Sequence, residues 1–491
     1  MLKNREPMTA MTTPVASPFA GNLPRRLTLV AAACVLAGCS MIPTYERPAA
    51  PVPTTFPQAP AATGAGVAAA DLAWKDYFSD PRLQQLITIA LENNRDLRVS
   101  VLNIEQARAQ FQITRASQYP VVNGVASGTR QPNTSGQYAN AFQVGLAVSA
   151  WEIDFFGRVA ALKEQALAQY LATEEARKSA QISLVAAVAN GWYTLLADEE
   201  LLAISRSTLA TREESIKLAK LRLDNGVSSE LDYHQAEGLT QAARATLAQQ
   251  QRQRALDENA LVLLLGQSLP PEVLATVSGY RLADTPAMAA LPAGLPSDLL
   301  TRRPDIRQAE QTLLASNANI GAARAAFFPR ISLTASVGSV SSELSGLFKS
   351  GSWAFSLAPQ LVLPIFDAGR NQAGLDSAQA GRAIAVAQYE KAIQTAFREV
   401  ADALAGQATL TDQLNAQKAQ SDAEAKRLKL SDLRYRNGVA SYLDFLDAQR
   451  SLFSTQQAVV QTRLVQLQNQ VALYKTLGGG WTETGTAPVA Q

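Results

Sequence analysis

"RLDNGVSSELDY" opens at Arg222 and "RYRNGVASYLDF" opens at Arg434, and their glycines, Gly226 and Gly438, stand 212 positions apart (438 less 226). A second pair keeps this spacing: "IDFFGR" closes at Arg158 and "IFDAGR" at Arg370, again 212 apart (370 less 158). Two landmarks with one offset mark a duplicated unit, so the chain carries two internal repeats. Asn-Gly between long runs of helix formers reads as a reversal between helices, since glycine enters left-handed backbone at no steric cost.

Working outward from the reversals, each is preceded by a long run without proline, 157–223 and 370–436. In the first, Val188, Leu195, Leu202, Leu209, Ile216 and Leu223 recur every seven residues, a seam for packing against another helix. At ~1.5 Å per residue such a helix is about 100 Å long, too long for a compact domain. Shorter helices are expected after the reversals, over 230–265 and 441–476, the latter with its own line Leu446, Phe453, Val460, Leu467 and Tyr474. The uncharged stretch "SAQISLVAAVANGWYTLLA" (179–197) is long enough for a membrane helix. The heptad line runs through it, however, and Gln181 and Asn190 interrupt it, so a buried seam is the expectation.

Ahead of each long run the period changes to two. In "AFQVGLAVSA", Phe142, Val144, Leu146 and Val148 share one face; in "RISLTASVGS", Ile331, Leu333, Ala335 and Val337 do. Hairpins are therefore expected at about 120–155 and 329–366, the second returning through Phe355, Leu357, Leu361, Leu363 and Ile365. Strands of about ten residues, apolar on one face and small or polar on the other, fit a membrane β-barrel and equally a soluble sandwich. Four strands cannot close a barrel, which needs at least about eight, and open edges are not tolerated in lipid. Two chains would supply a barrel filled by side chains; three would supply a twelve-stranded barrel with a wider lumen. Three is the expectation.

Composition narrows the class. The 491 residues are 47% hydrophobic and 18% charged with a formal charge of +2, so no basic field points to nucleic acid. Residues 1–38 read as a signal peptide: Arg25-Arg26, then "LTLVAAACVLAGC". "LAGC" (Leu36 to Cys39) resembles a lipobox, making Cys39 the expected acylated first residue of the mature chain. The Pro/Ala-rich 41–70 is a tether rather than a core segment. His234 is the only histidine, and no nucleotide loop or paired-cysteine metal motif occurs. No enzyme activity, cofactor or metal is expected.

With these features in place the chain resembles the outer membrane factor (TolC) family, and within it the OprM-like lipoproteins. The resemblance covers nearly all of the expected mature chain. It is carried by "WKDYFSDPRLQQLITIALENNRDLR" (74–98), "LPAGLPSDLLTRRPDIRQAE" (291–310), "NANIGAARAAFFPRISLTAS" (317–336), "AQYEKAIQTAFREVADAL" (387–404) and "YLDFLDAQRSLF" (442–453). It implies a mainly α fold with β: a homotrimeric twelve-stranded outer-membrane barrel, four strands per chain, continuing into a twelve-helix periplasmic tunnel. The implied division is a lipidated tether and girdle segment over 39–82, repeat 1 over 83–265, a girdle linker over 266–297, repeat 2 over 298–476 and a tail over 477–491.

The resemblance also gives the reversals an address, the periplasmic tip of the tunnel. The family's tip pattern, Arg, three residues, Gly, then a hydrophobe, is met by Arg222-Gly226-Val227 and Arg434-Gly438-Val439. These implied tip contacts face a periplasmic adaptor (membrane fusion) protein, which joins an inner-membrane RND transporter. Past the second tip, Asp444 and Asp447 fall on one helix face beside Leu443. An isolated pair of this kind is ordinarily a solvated surface; repeated around a threefold axis it would ring a lumen with negative charge. The family has an aspartate-lined gate here, matching Leu443 and Asp447. Asp444 matches an aspartate in TolC and departs from the OprM branch. Tyr435, Arg434 and Arg450 match positions bordering the closed tip. The function so implied is the passive exit duct of a tripartite multidrug efflux system, anchored in outer-membrane lipid. The duct of a type I protein secretion system is the alternative on the same fold, and a trimeric coiled-coil surface protein would lack the paired hairpins.

Overall fold

A computed structural model describes residues 40–57, 67–132, 134–292, 294 and 296–481. Its chain forms two units. Cys39 and the signal region lie outside the described residues.

The first unit (described residues within 40–43, 114–163 and 318–378) holds one four-stranded sheet. Its strands are β1 (Val122–Pro132), β2 (Tyr138–Glu152), β3 (Arg330–Ser341) and β4 (Trp353–Val362), antiparallel in the order β1-β2-β3-β4. The β2–β3 ladder joins the hairpin of one repeat to that of the other, with Phe142 opposite Ser341 and Leu146 opposite Val337. The register shifts between Val148 and Trp151. Ala150 sits there at φ 47° and donates its N–H to Thr334 Oγ1 at 3.2 Å, a bulge that bends the strand. At mid-ladder Gly145 faces Gly338. A Cβ on Gly145 would stand 2.3 Å from the Val337 carbonyl oxygen, and one on Gly338 2.1 Å from that of Val144, so only glycine fits.

Among the described residues, β1 and β4 each pair on one side only. Along β4 and beyond it Phe355, Leu357, Leu361 and Ile365 are exposed, an apolar face that water would not tolerate. Elsewhere in this unit, Ile42 fills the space over Gly321, and Arg324 Nη1 donates to the Met41 carbonyl at 3.4 Å.

The second unit (described residues within 44–113, 164–317 and 379–481) is helical. Helix α1 (Pro81–Asn93) starts where Asp80 accepts the Arg82 N–H, with Pro81 at the first position, a favoured N-terminus. It buries Leu83, Leu86, Ile87 and Ala90, a 3.6-residue stripe. Helix α2 (Arg95–Ala116) buries only Leu97 and leaves Val99, Leu102 and Ile113 exposed. The long helices are α3 (Arg158–Asp224) and α6 (Arg370–Arg436), 67 residues each; their shorter partners are α4 (Glu230–Leu265) and α7 (Tyr442–Thr476). Between them α5 (Pro304–Ala325) matches α2 at 22 residues.

One apolar core gathers Trp74, Tyr77, Leu83, Ile87, Trp192, Leu195, Leu261, Val273, Tyr389, Leu467 and Tyr474. The uncharged stretch 179–197 is consumed here: Val188, Trp192, Leu195 and Leu196 are fully buried, each such side chain stabilising by roughly 1.5–3 kcal/mol. Tyr77 and Tyr474 stack at 4.1 Å, and their hydroxyls donate to the carbonyls of Gln470 and Leu72, tying the segment before α1 to the end of α7. A second, small cluster lies far along the helices: Ala219, Ala236, Tyr435, Tyr442, Phe445 and Leu446.

Candidate functional site

The small distal cluster sits beside the two reversals, and hydrogen bonding explains why their sequences agree. At the end of α3, Val227 N–H donates to the Arg222 carbonyl and Gly226 N–H to that of Leu223, both at 2.9 Å. At the end of α6, Val439 N–H donates to Arg434 at 2.9 Å and Gly438 N–H to Tyr435 at 3.0 Å. These are Schellman closures with glycine left-handed, φ 70° at Gly226 and 74° at Gly438. Arginine, glycine and valine in each copy therefore occupy the first bonded carbonyl, the left-handed residue and the residue after it. The valines gain no cover from the turn: Val227 and Val439 stay 64% and 67% exposed.

The next helices begin alike. Ser229 Oγ accepts the Asp232 N–H and Ser441 Oγ the Asp444 N–H, each at 3.2 Å. Asp232 and Asp444 are again 212 apart (444 less 232). The Asp444 carboxylate accepts from the Ser441 hydroxyl at 2.8 Å, and that of Asp232 from Ser228 at 2.9 Å. Ser441 is thus the N-cap of α7 and Asp444 its third residue, whose carboxylate meets, among the described residues, only the Ser441 hydroxyl, whereas Asp232 also accepts the Ser229 N–H at 3.4 Å.

Asp447 differs. It forms an ion pair with Arg427, whose other arm reaches Glu424 at 3.2 Å. The sequence reading does not single out Arg427. Its signal is positional, since it lies 11 residues before Gly438 and Asp447 lies 9 after (438 less 427; 447 less 438), facing places in an antiparallel helix pair. Leu443 is 59% exposed. Arg434 and Arg450 are exposed, and no ion pair holds either among the described residues.

The structure joins Arg222 of the first repeat to Tyr435 of the second: the guanidinium carbon lies 4.8 Å from the ring centroid. Tyr435 stacks on Phe445 at 5.7 Å and leans on Tyr442 at 5.0 Å. Burial pushes the Tyr435 phenol up, with Arg222 pulling the other way, and burial pushes Tyr442 further up. Tyr442 and Phe445 are tip residues that sequence reasoning passes over; their signal is an aromatic three residues from another. Together with Ser215, Leu218 and Leu428 they line a groove of about 290 Å³ between α3, α6 and α7. Within one chain, then, Arg222, Tyr435 and the two glycine turns converge. Asp444 and Asp447 each bond a separate partner, Ser441 and Arg427. No three metal-ligand side chains cluster among the described residues.

The chain matches the family model described as outer membrane efflux protein over residues 86–267 and 295–479. It is 48% identical over 472 residues to the probable efflux pump outer membrane protein TtgC of Pseudomonas putida, covering 94% of this chain and 97% of the relative. To the outer membrane protein OprJ of Pseudomonas aeruginosa it is 46% identical over 458 residues, covering 92% and 95%. The open state of the MtrE outer membrane channel of Neisseria gonorrhoeae superposes with a TM-score of 0.83 at 41% identity, covering 91% of this chain and all of that one.

Proposed function

Because the chain belongs to the outer membrane efflux protein family, we propose that it is the exit duct of a tripartite RND-type efflux assembly. It is a homotrimer whose tips dock a periplasmic adaptor beneath the outer membrane. The observation that carries this reading is the sheet with two unpaired edges and an exposed apolar face. Neither feature is stable in one chain, and both are satisfied when β4 of one copy pairs with β1 of the next in lipid. Helix α2, with one buried residue and exposed Val99, Leu102 and Ile113, wants cover of the same kind.

Transport needs no chemistry from the duct. The adaptor would meet the exposed Val227 and Val439 with Arg222 and Arg434 beside them, and Leu443 with Asp447 would narrow the lumen. The division into girdle (39–82, 266–297, 477–491) and two repeats (83–265, 298–476) belongs to this proposal, as does acylation of Cys39. Relatives named as efflux pump components favour efflux over protein secretion.

The test is functional replacement. In a strain lacking its own efflux outer-membrane channel, supplied with the adaptor and pump of a related system, this chain should restore drug resistance. Correct insertion as a trimer without resistance or drug export would contradict the proposal.

A further inference from the structure

Away from the tip and the sheet, α3 and α4 meet through acidic side chains. Asp198 on α3 is 6% exposed, and its Oδ2 has no hydrogen-bond partner among the described residues. Within hydrogen-bonding reach stands the carboxyl of Asp257 on α4, which accepts from Gln253 Nε2 at 2.8 Å. The neighbouring cation, Arg254, is committed elsewhere: its Nε lies 2.7 Å from Glu199 and its Nη1 3.0 Å from Glu258. Glu200, next along α3, turns away to accept the Leu282 N–H at 2.8 Å. The charged groups acting on Asp198 are Asp257 and Arg254, both from α4.

A sealed carboxylate oxygen without a donor, facing a second carboxylate, is untenable as an anion. Protonated, Asp198 becomes a second donor to Asp257, beside Gln253. We propose that Asp198 and Asp257 share one proton as a carboxylic acid–carboxylate bridge that pins α3 to α4, and that losing this proton loosens the seam. The inference concerns the helix pair alone and stands apart from the duct reading.

The sign follows from linkage. Burial first, then Asp257, push the Asp198 carboxyl from 3.8 up to about 7, with Arg254 opposing. The closed seam holds the proton more tightly than an opened one, in which the carboxyl returns to its ordinary value. Closure is therefore strongest in acid. Opening becomes about tenfold easier per pH unit between about 4 and about 7, and levels off above that.

Two measurements on the full-length protein in detergent test this. Infrared titration should show a protonated-carboxyl band at about pH 6 that fades above about 7 and is missing from Asp198→Asn. Hydrogen exchange, corrected for intrinsic rates, should quicken about tenfold per pH unit over that window in peptides covering Asp198 and Asp257. In Asp198→Asn, whose amide donates without titrating, exchange should be flat. No such band in the wild type, or the same exchange slope in both proteins, would overturn the bridge. The infrared arm reads the proton directly, so it decides even if the variant folds poorly.

Discussion

Arg222 of the first repeat covers the ring of Tyr435 of the second at 4.8 Å, so the two reversals are joined by a contact that neither copy repeats. The residue 212 positions before Tyr435 is Leu223 (435 less 212), which offers no π-face. The duplication is therefore broken where the two helix ends meet.

Removing this contact should loosen the tip without unfolding it. A cation over an aromatic ring contributes about 0.5–1 kcal/mol at an exposed site, so Arg222→Ala should open the resting channel about two- to fivefold more often. Arg222→Lys should fall between. Single-channel open probability is the readout, and an unchanged value would remove Arg222 from the closing contacts.

The glycines predict a conformational rather than a steric penalty. Among the described residues nothing lies within 4 Å of a Cβ built on Gly226 or Gly438, yet both are left-handed. Gly438→Val should destabilise the reversal by roughly 1–2 kcal/mol, and Gly438→Asn by less. Protease nicking at the tip should follow that order. Equal nicking of the two variants would mean that backbone strain does not govern the turn.

The sheet predicts the opposite cause. At Gly145 and Gly338 an added Cβ meets backbone at 2.3 and 2.1 Å, so Gly338→Val should prevent the β2–β3 ladder from closing. The expected result is loss of the heat-resistant oligomer on gels, with the helical circular dichroism signal retained. A normal oligomer would show that the two strands tolerate separation there.

Much of this architecture is legible in the sequence because it repeats or alternates. Proline-free runs with a seven-residue line locate the long helices, and period two locates the hairpins. The Arg-x-x-x-Gly-Val spacing is the hydrogen-bonding pattern of the turn itself. The β2–β3 ladder is not legible: it pairs Leu146 with Val337, far apart in the chain, and no local signal sets that register. Nor is the bulge at Ala150, a residue with no preference for left-handed backbone. At the tip, Asp444 and Asp447 look equivalent by helical spacing. Only coordinates separate the aspartate bonded to Ser441 from the one paired with Arg427, since a lone arginine on a charged helix carries no mark of its partner.

That separation predicts different variants. Asp447 is 55% exposed, so its ion pair contributes little to stability, on the order of 1 kcal/mol or less. Arg427→Gln should free its charge and strengthen divalent-cation block of the pore. Asp444→Ser should leave block intact and, by removing the acceptor of the Ser441 hydroxyl, weaken the start of α7 by about 0.5–1.5 kcal/mol, seen as faster exchange in its first turn. Identical behaviour of the two variants would contradict the assignment.

The most direct measurement is single-channel recording of the purified protein in a planar bilayer, wild type against Asp447→Ser, with and without divalent cations. The account predicts a small cation-preferring conductance that divalents block, and loss of that block in the variant. A correctly inserted trimer that passes no ions at any voltage, in either form, would contradict the claim that this chain builds a duct.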